Sequence, residues 1–165
     1  MKEKACSRLD KMVNITNDPS ILSSAGSLAR DCGNFEQSLV IFKNIEDKAP
    51  HFRLWFKKDY AWTFLISQYM EKIDNFDEAK FFINNQLDKQ FKEDGINEMW
   101  LIMLAYIASV EGDTDKAKYY FNEQTKMTNP INVIWSNKYP DILDENPAFR
   151  DSFFSELEKL GLKLK

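Results

Sequence analysis

The chain has 165 residues, enough for one domain with a sizeable core, and its 44% hydrophobic and 14% aromatic content is too apolar for a disordered chain. A net charge of −4 with scattered basic residues excludes the footprint that nucleic acid requires. The longest strongly apolar stretch, Trp100 to Val110, is about half the length of a membrane span, so no membrane insertion is expected.

Lys2, Glu3 and Lys4 open the sequence without an apolar signal segment. A complete chain is thus expected in the cytoplasm, whereas a fragment of an exported or membrane-anchored protein fits the periplasm. Asn17-Asp18-Pro19-Ser20 starts a helix that carries Leu22, Ala25, Gly26, Leu28 and Ala29 and stops at Gly33-Asn34. Phe35 to Asp47 is the next helix, closed by Pro50. Phe52 to Ile73 is long and aromatic, and within it Arg53, Lys57 and Lys58 read as a solvated helix face. Asp74-Asn75 turns the chain into Phe76 to Phe91. After a loop at Lys92-Glu93-Asp94-Gly95 comes Asn97 to Glu111, then a turn at Gly112-Asp113, then Thr114 to Met127.

Three of these blocks align on their turns: Gly33-Asn34-Phe35-Glu36-Gln37-Ser38, Asp74-Asn75-Phe76-Asp77-Glu78-Ala79 and Gly112-Asp113-Thr114-Asp115-Lys116-Ala117. Four residues beyond each small one stands Phe42, Ile83 or Phe121. A small residue also sits mid-helix before each turn: Gly26, Ser67 and Ala105. Small side chains let two antiparallel helices approach closely, and large ones fill the space between one pair and the next.

The pattern from Pro19 to Asn129 resembles the tetratricopeptide repeat, whose unit is about 34 residues. Block two is the most degenerate, with Asp74 in the turn-glycine slot. The resemblance implies an all-α fold: a single domain over 1–165 of antiparallel helix pairs stacked as a short right-handed superhelix. Residues 1–16 would form an N-terminal half-repeat or cap helix, 19–129 three helix pairs and 130–165 a C-terminal cap. The tail, from Tyr139-Pro140 to Leu160-Gly161-Leu162, resembles segments that close many bacterial regions of this kind.

The resemblance also implies where a partner would bind. First helices line the concave face, which would present Ser23, Ser27 and Arg30, then Phe64, Gln68 and Glu71, then Met99, Ile102 and Tyr106. The expected role is a non-catalytic interaction or scaffold module that takes a peptide or helix there, chiefly through Arg30, Phe64, Gln68, Met99, Ile102 and Tyr106. The alternative for the apolar members is that the protein's own tail helix covers them. Carboxylate-gripping members of the family place Lys, Asn and Arg where this chain has Ser23, Ser27, Met99 and Met103, so that clamp is missing. A second functional reading makes the chain the C-terminal sensory or regulatory domain of a bacterial transcription regulator. A homodimer stays open.

No catalytic motif, cofactor loop or metal-ligand spacing is present, so neither an enzyme nor a cofactor is expected; the single histidine, His51, reads as a structural or surface residue. Asn14-Ile15-Thr16 matches a glycosylation acceptor. If the N-terminal helix is the second half of a truncated repeat, Cys6 comes towards Cys32; the other reading is two unrelated thiols. A disulfide would imply an oxidising compartment.

Overall fold

The computed structural model describes residues 6–52, 54–72, 76–88, 96–126 and 141–163, and among them every regular element is a helix. In chain order these are α1 (Leu9–Asn14), α2 (Pro19–Asp31), α3 (Phe35–Lys48), α4 (Leu54–Met70), α5 (Asp77–Asp88), α6 (Ile96–Val110), α7 (Thr114–Thr125), α8 (Asp141–Asp144) and α9 (Pro147–Leu160). The chain divides into two compact units, Met1–Ser67 and Gln68–Lys165, with the division inside α4.

Local chemistry sets the helix ends. Pro19 occupies the first turn of α2, and the Asp18 carboxylate accepts the Ser20 N–H at 2.8 Å. At the other end Gly33 takes φ +82°. Its N–H donates to Arg30 O at 2.7 Å, and the Asn34 N–H donates to Ala29 O at 2.9 Å, the paired bonds of a Schellman stop. Asn34 then caps α3 at once, its side-chain oxygen accepting the Gln37 N–H at 3.1 Å.

The α6–α7 turn repeats this step for step. Gly112 has φ +81°, its N–H bonds Ser109 O at 3.1 Å, and Asp113 bonds Ala108 O at 2.9 Å before capping Lys116 N–H at 3.1 Å. The Leu160-Gly161-Leu162 ending is a third such stop, with Gly161 at φ +114° and the buried Leu162 donating to Leu157 O at 3.0 Å. Helix α4 differs. Its left-handed residue is Lys72, at φ +54°, donating its N–H to Tyr69 O at 3.1 Å. An L-residue pays roughly 1–2 kcal/mol for that conformation. The left-handed step therefore falls two positions before Asp74, which lies outside the described residues.

In unit one, α2 packs against α3 and α1 packs on α2. A Cβ on Gly26 would stand 2.8 Å from the Phe42 ring, so the two backbones approach as closely as a hydrogen side chain permits. Ser38 fastens the same crossing by donating its hydroxyl to Gly26 O at 2.7 Å. Phe42 in turn meets Tyr60 at 5.7 Å and Phe56 at 6.4 Å between ring centroids. Lys57 corrects the expectation of a solvated basic face: it is only 1% exposed. Its stem runs through the core, and its ammonium donates to Pro50 O at 2.8 Å beyond the end of α3 and pairs with Glu46 at 3.4 Å. Lys58 is half-buried, and Arg53 lies outside the described residues.

Unit two is built around α6. Every residue from Met99 to Ala108 is buried, so the helix is apolar on all sides and must be covered on all sides. Helices α5, α7 and α9 pack on it. Glu111, just past its end, holds Lys80 of α5 at 2.8 Å and accepts the Phe76 N–H at 3.5 Å. The residues of the three aligned blocks share one fate: Gly26, Ser67, Ala105, Ser38, Ala79, Ala117, Phe42, Ile83 and Phe121 are all buried.

Two consequences are measurable. Gly26→Ala gains about 1 kcal/mol of helix propensity but overpacks Phe42 by about 1–3 kcal/mol. A net loss of about 1 kcal/mol in urea denaturation is expected, with partial recovery when Phe42→Leu is added. The second concerns Cys6 and Cys32, which are joined by a disulfide with 5.9 Å between their Cα atoms across 26 positions. Reducing it returns about 3 kcal/mol of loop entropy to the unfolded chain. The melting temperature of unit one should fall under reductant, and a Cys6→Ser, Cys32→Ser double variant should show the lower value without reductant.

Candidate functional site

The sequence-derived groove residues separate into three environments. Arg30 is held within unit one, paired with Asp31 at 3.0 Å and with Asp59 at 3.8 Å. Ser27 donates its hydroxyl to the same Asp59 at 3.1 Å, and Ser23 is buried. Burial lifts the Asp59 carboxyl above the ordinary aspartate value, and the attraction of Arg30 and the Ser27 hydrogen bond offset this only in part. Phe64 is half-buried and stacks on Tyr60 at 4.7 Å.

Met99, Ile102 and Tyr106 lie inside unit two, at 6%, 0% and 1% exposure. The tail helix covers Tyr106: its ring meets Phe153 at 4.9 Å and Phe149 at 5.6 Å, and Phe149 also meets Tyr69 edge-on at 5.6 Å. A partner reaching the Tyr106 ring would have to displace α9. Tyr106 nevertheless borders a cleft, with only 1% of its surface exposed.

That cleft, of about 470 Å³, opens where the C-terminal ends of α4 and α6 meet α9. Gln68, Tyr69 and Lys72 come from the end of α4 and the turn after it. Tyr106, Ser109 and Val110 come from α6, and Ser152, Glu156 and Lys159 from α9, with Phe76 completing the wall. Two of the sequence-derived residues, Gln68 and Tyr106, are thereby brought together; Arg30 and Phe64 belong to the other unit. The volume is in the usual range for a ligand site.

The cleft is polar at the rim and aromatic at the floor. Glu156 accepts the Ser109 hydroxyl at 2.7 Å and pairs with Lys159. Burial acts to raise the Glu156 carboxyl, but the Lys159 and Ser109 hydrogen bonds outweigh it, and the group is held below the usual glutamate value. The Tyr106 phenol is pushed up to about 12, chiefly by burial and against a hydrogen bond from Ser152. At neutral pH the cleft therefore holds a fixed carboxylate and a fixed neutral phenol, a constellation suited to binding. Among the described residues no three His, Cys, Asp or Glu side chains are placed to hold a metal, and no helix is long and apolar enough to cross a membrane. His51 is exposed.

Sequence reasoning missed Lys72, Ser109, Ser152, Glu156 and Lys159. The i,i+4 spacing of Gln68 and Lys72 was the one local sign; the rest depends on α9 folding back onto α6, more than 40 positions away in the chain.

The buried Asp59 gives a pH test. Its raised folded pKa means that its stabilising contribution is present at low pH and lost as pH rises through the folded value. Urea stability of the wild type relative to Asp59→Asn should therefore improve as pH falls from 7 towards 4. A flat difference, or one of opposite slope, would contradict a buried, net-desolvated carboxylate.

Compared with models of protein families, with curated proteins and with solved structures, the chain matches none.

Proposed function

We propose that this chain is a non-catalytic interaction module of the tetratricopeptide-like kind, which takes a polypeptide segment into the α4–α6–α9 cleft. The observation that carries the reading is the cleft itself, where Gln68 and Tyr106 meet among fixed polar groups over an aromatic floor. Three further features support it. The α2–α3 and α6–α7 turns share one hydrogen-bonding scheme, as repeated units would. The small and bulky residues of the aligned blocks are each buried. The backbone approach at Gly26 and Phe42 is the close helix pairing that such repeats require.

A second reading, the sensory or regulatory domain of a transcription regulator, is favoured by one observation. The Cys6–Cys32 disulfide belongs to oxidising compartments, where a domain of this sort would report on conditions outside the cell.

The test is peptide-library selection on the purified chain, followed by affinity measurement against Val110→Trp. Val110 is 42% exposed at the cleft rim, so a tryptophan there occludes the cleft without entering the core. Selected peptides should bind the variant at least about tenfold more weakly, a difference of roughly 1.4 kcal/mol, with an unchanged far-ultraviolet spectrum. Peptides that bind both proteins alike would remove the cleft from the reading, and a selection that yields nothing would remove the module.

A further inference from the structure

Two residues of the cleft stand out. The first is Lys72. The α2–α3 and α6–α7 turns and the stop after α9 all place glycine in the left-handed position, whereas α4 places a lysine there. Among the described residues its exposed ammonium has no carboxylate within ion-pairing distance, unlike Lys159, which is held by Glu156. The second is Gln68, whose side-chain oxygen, like seven other side-chain atoms of the described residues, is buried without a hydrogen-bond partner. A buried carboxamide atom left unpaired destabilises a fold. Strained backbone that the fold itself does not need is characteristic of ligand sites.

Resting on the reading of this cleft as a binding site, we propose that its ligand is an acylated α-amino acid with a free carboxylate and an apolar side chain. The same chemistry is offered by the last residue of a polypeptide and by a free N-acyl amino acid. Lys72 receives the carboxylate. The Gln68 carboxamide, turned towards the cleft, pairs with the adjoining amide, and it does so with either assignment of its oxygen and nitrogen, because an amide offers both N–H and C=O. The apolar side chain lies against Tyr69, Phe76 and Val110. The charges agree with an anion: Lys72 and Lys159 against Glu156 leave the lining with an excess of one positive charge. Glu156 is engaged by Ser109 on one oxygen and Lys159 on the other, and makes no ion pair with Lys72. The cleft holds about 470 Å³, room for one such residue and the amide before it.

The experiment titrates the full chain by calorimetry and by NMR with four probes. These are N-acetyl-leucine, its C-terminal amide, a pentapeptide ending in leucine with a free carboxylate, and the same pentapeptide amidated. Both carboxylates, or one of them, should bind at least about tenfold more tightly than the matching amide. Lys72→Gly and Gln68→Leu should each weaken the carboxylate probes by about tenfold or more while holding or raising the melting temperature. That opposition separates a binding role from a structural one. Lysine acting only as the cation at the end of α4 would give a lower melting temperature and unchanged affinity, and would overturn the proposal.

Equal binding of acid and amide would also overturn it, as would no binding of any probe at millimolar concentration; peptides chosen by library selection would still decide the wider reading. If N-acetyl-leucine binds and the pentapeptide does not, the ligand assignment stands and the polypeptide-binding reading falls in favour of a small-molecule sensor. Tighter binding of the pentapeptide keeps both.

Discussion

A chain of L-residues can pass from one helix into an antiparallel next within three residues only if one of them enters the left-handed region. Gly33 and Gly112 meet that condition, and the residue after each is a side-chain N-cap, so one helix closes and the next opens without an intervening loop. Much else depends on this reversal. It sets α2 against α3 and α6 against α7 as antiparallel neighbours, and it fixes which residues face each other across the pair. Only then does the absence of a side chain at Gly26 matter, because Phe42 arrives where a Cβ would have been.

The second determinant is the composition of α6. A helix with no polar face cannot serve as the surface of anything, and unit two is organised to enclose it. The tail helix does this with Phe149 and Phe153 against Tyr106, and in doing so creates the cleft at its own polar edge. The enclosure of α6 and the cleft are thus products of one packing event. The polar residues of α9 that line the cleft, Ser152, Glu156 and Lys159, follow one another along a single helix face at i,i+4 and i,i+3 spacing while the phenylalanines between them point into the core.

Most of the helical layout was legible in the sequence because its punctuation is local. Asp18-Pro19, Gly33-Asn34, Gly112-Asp113 and Gly161 act through bonds that span no more than five residues. Burial of the aligned small and bulky residues was legible for a similar reason, since their spacing follows the helix period. Lys57 was misread because charge was taken as a guide to exposure. A long stem can sink through a core while its ammonium finds the carbonyl of Pro50, and no spacing rule signals that carbonyl. The cleft was legible only at Gln68 and Tyr106. Its other polar members depend on how far the tail folds back, which is a tertiary fact.

The disulfide has a mechanical meaning as well. Cys6 and Cys32 are bridged, and the residues between them, α1 and α2 included, hang from that bridge as a closed loop. Tension applied to the backbone ahead of Cys6 therefore bypasses both helices and arrives at the residue where α2 ends and the turn into α3 begins. Under oxidising conditions a tether on that side would load the Gly33-Asn34 corner directly; under reducing conditions the same pull would first peel α1 from α2. The redox state of one bond thus selects which part of the molecule gives way first under strain.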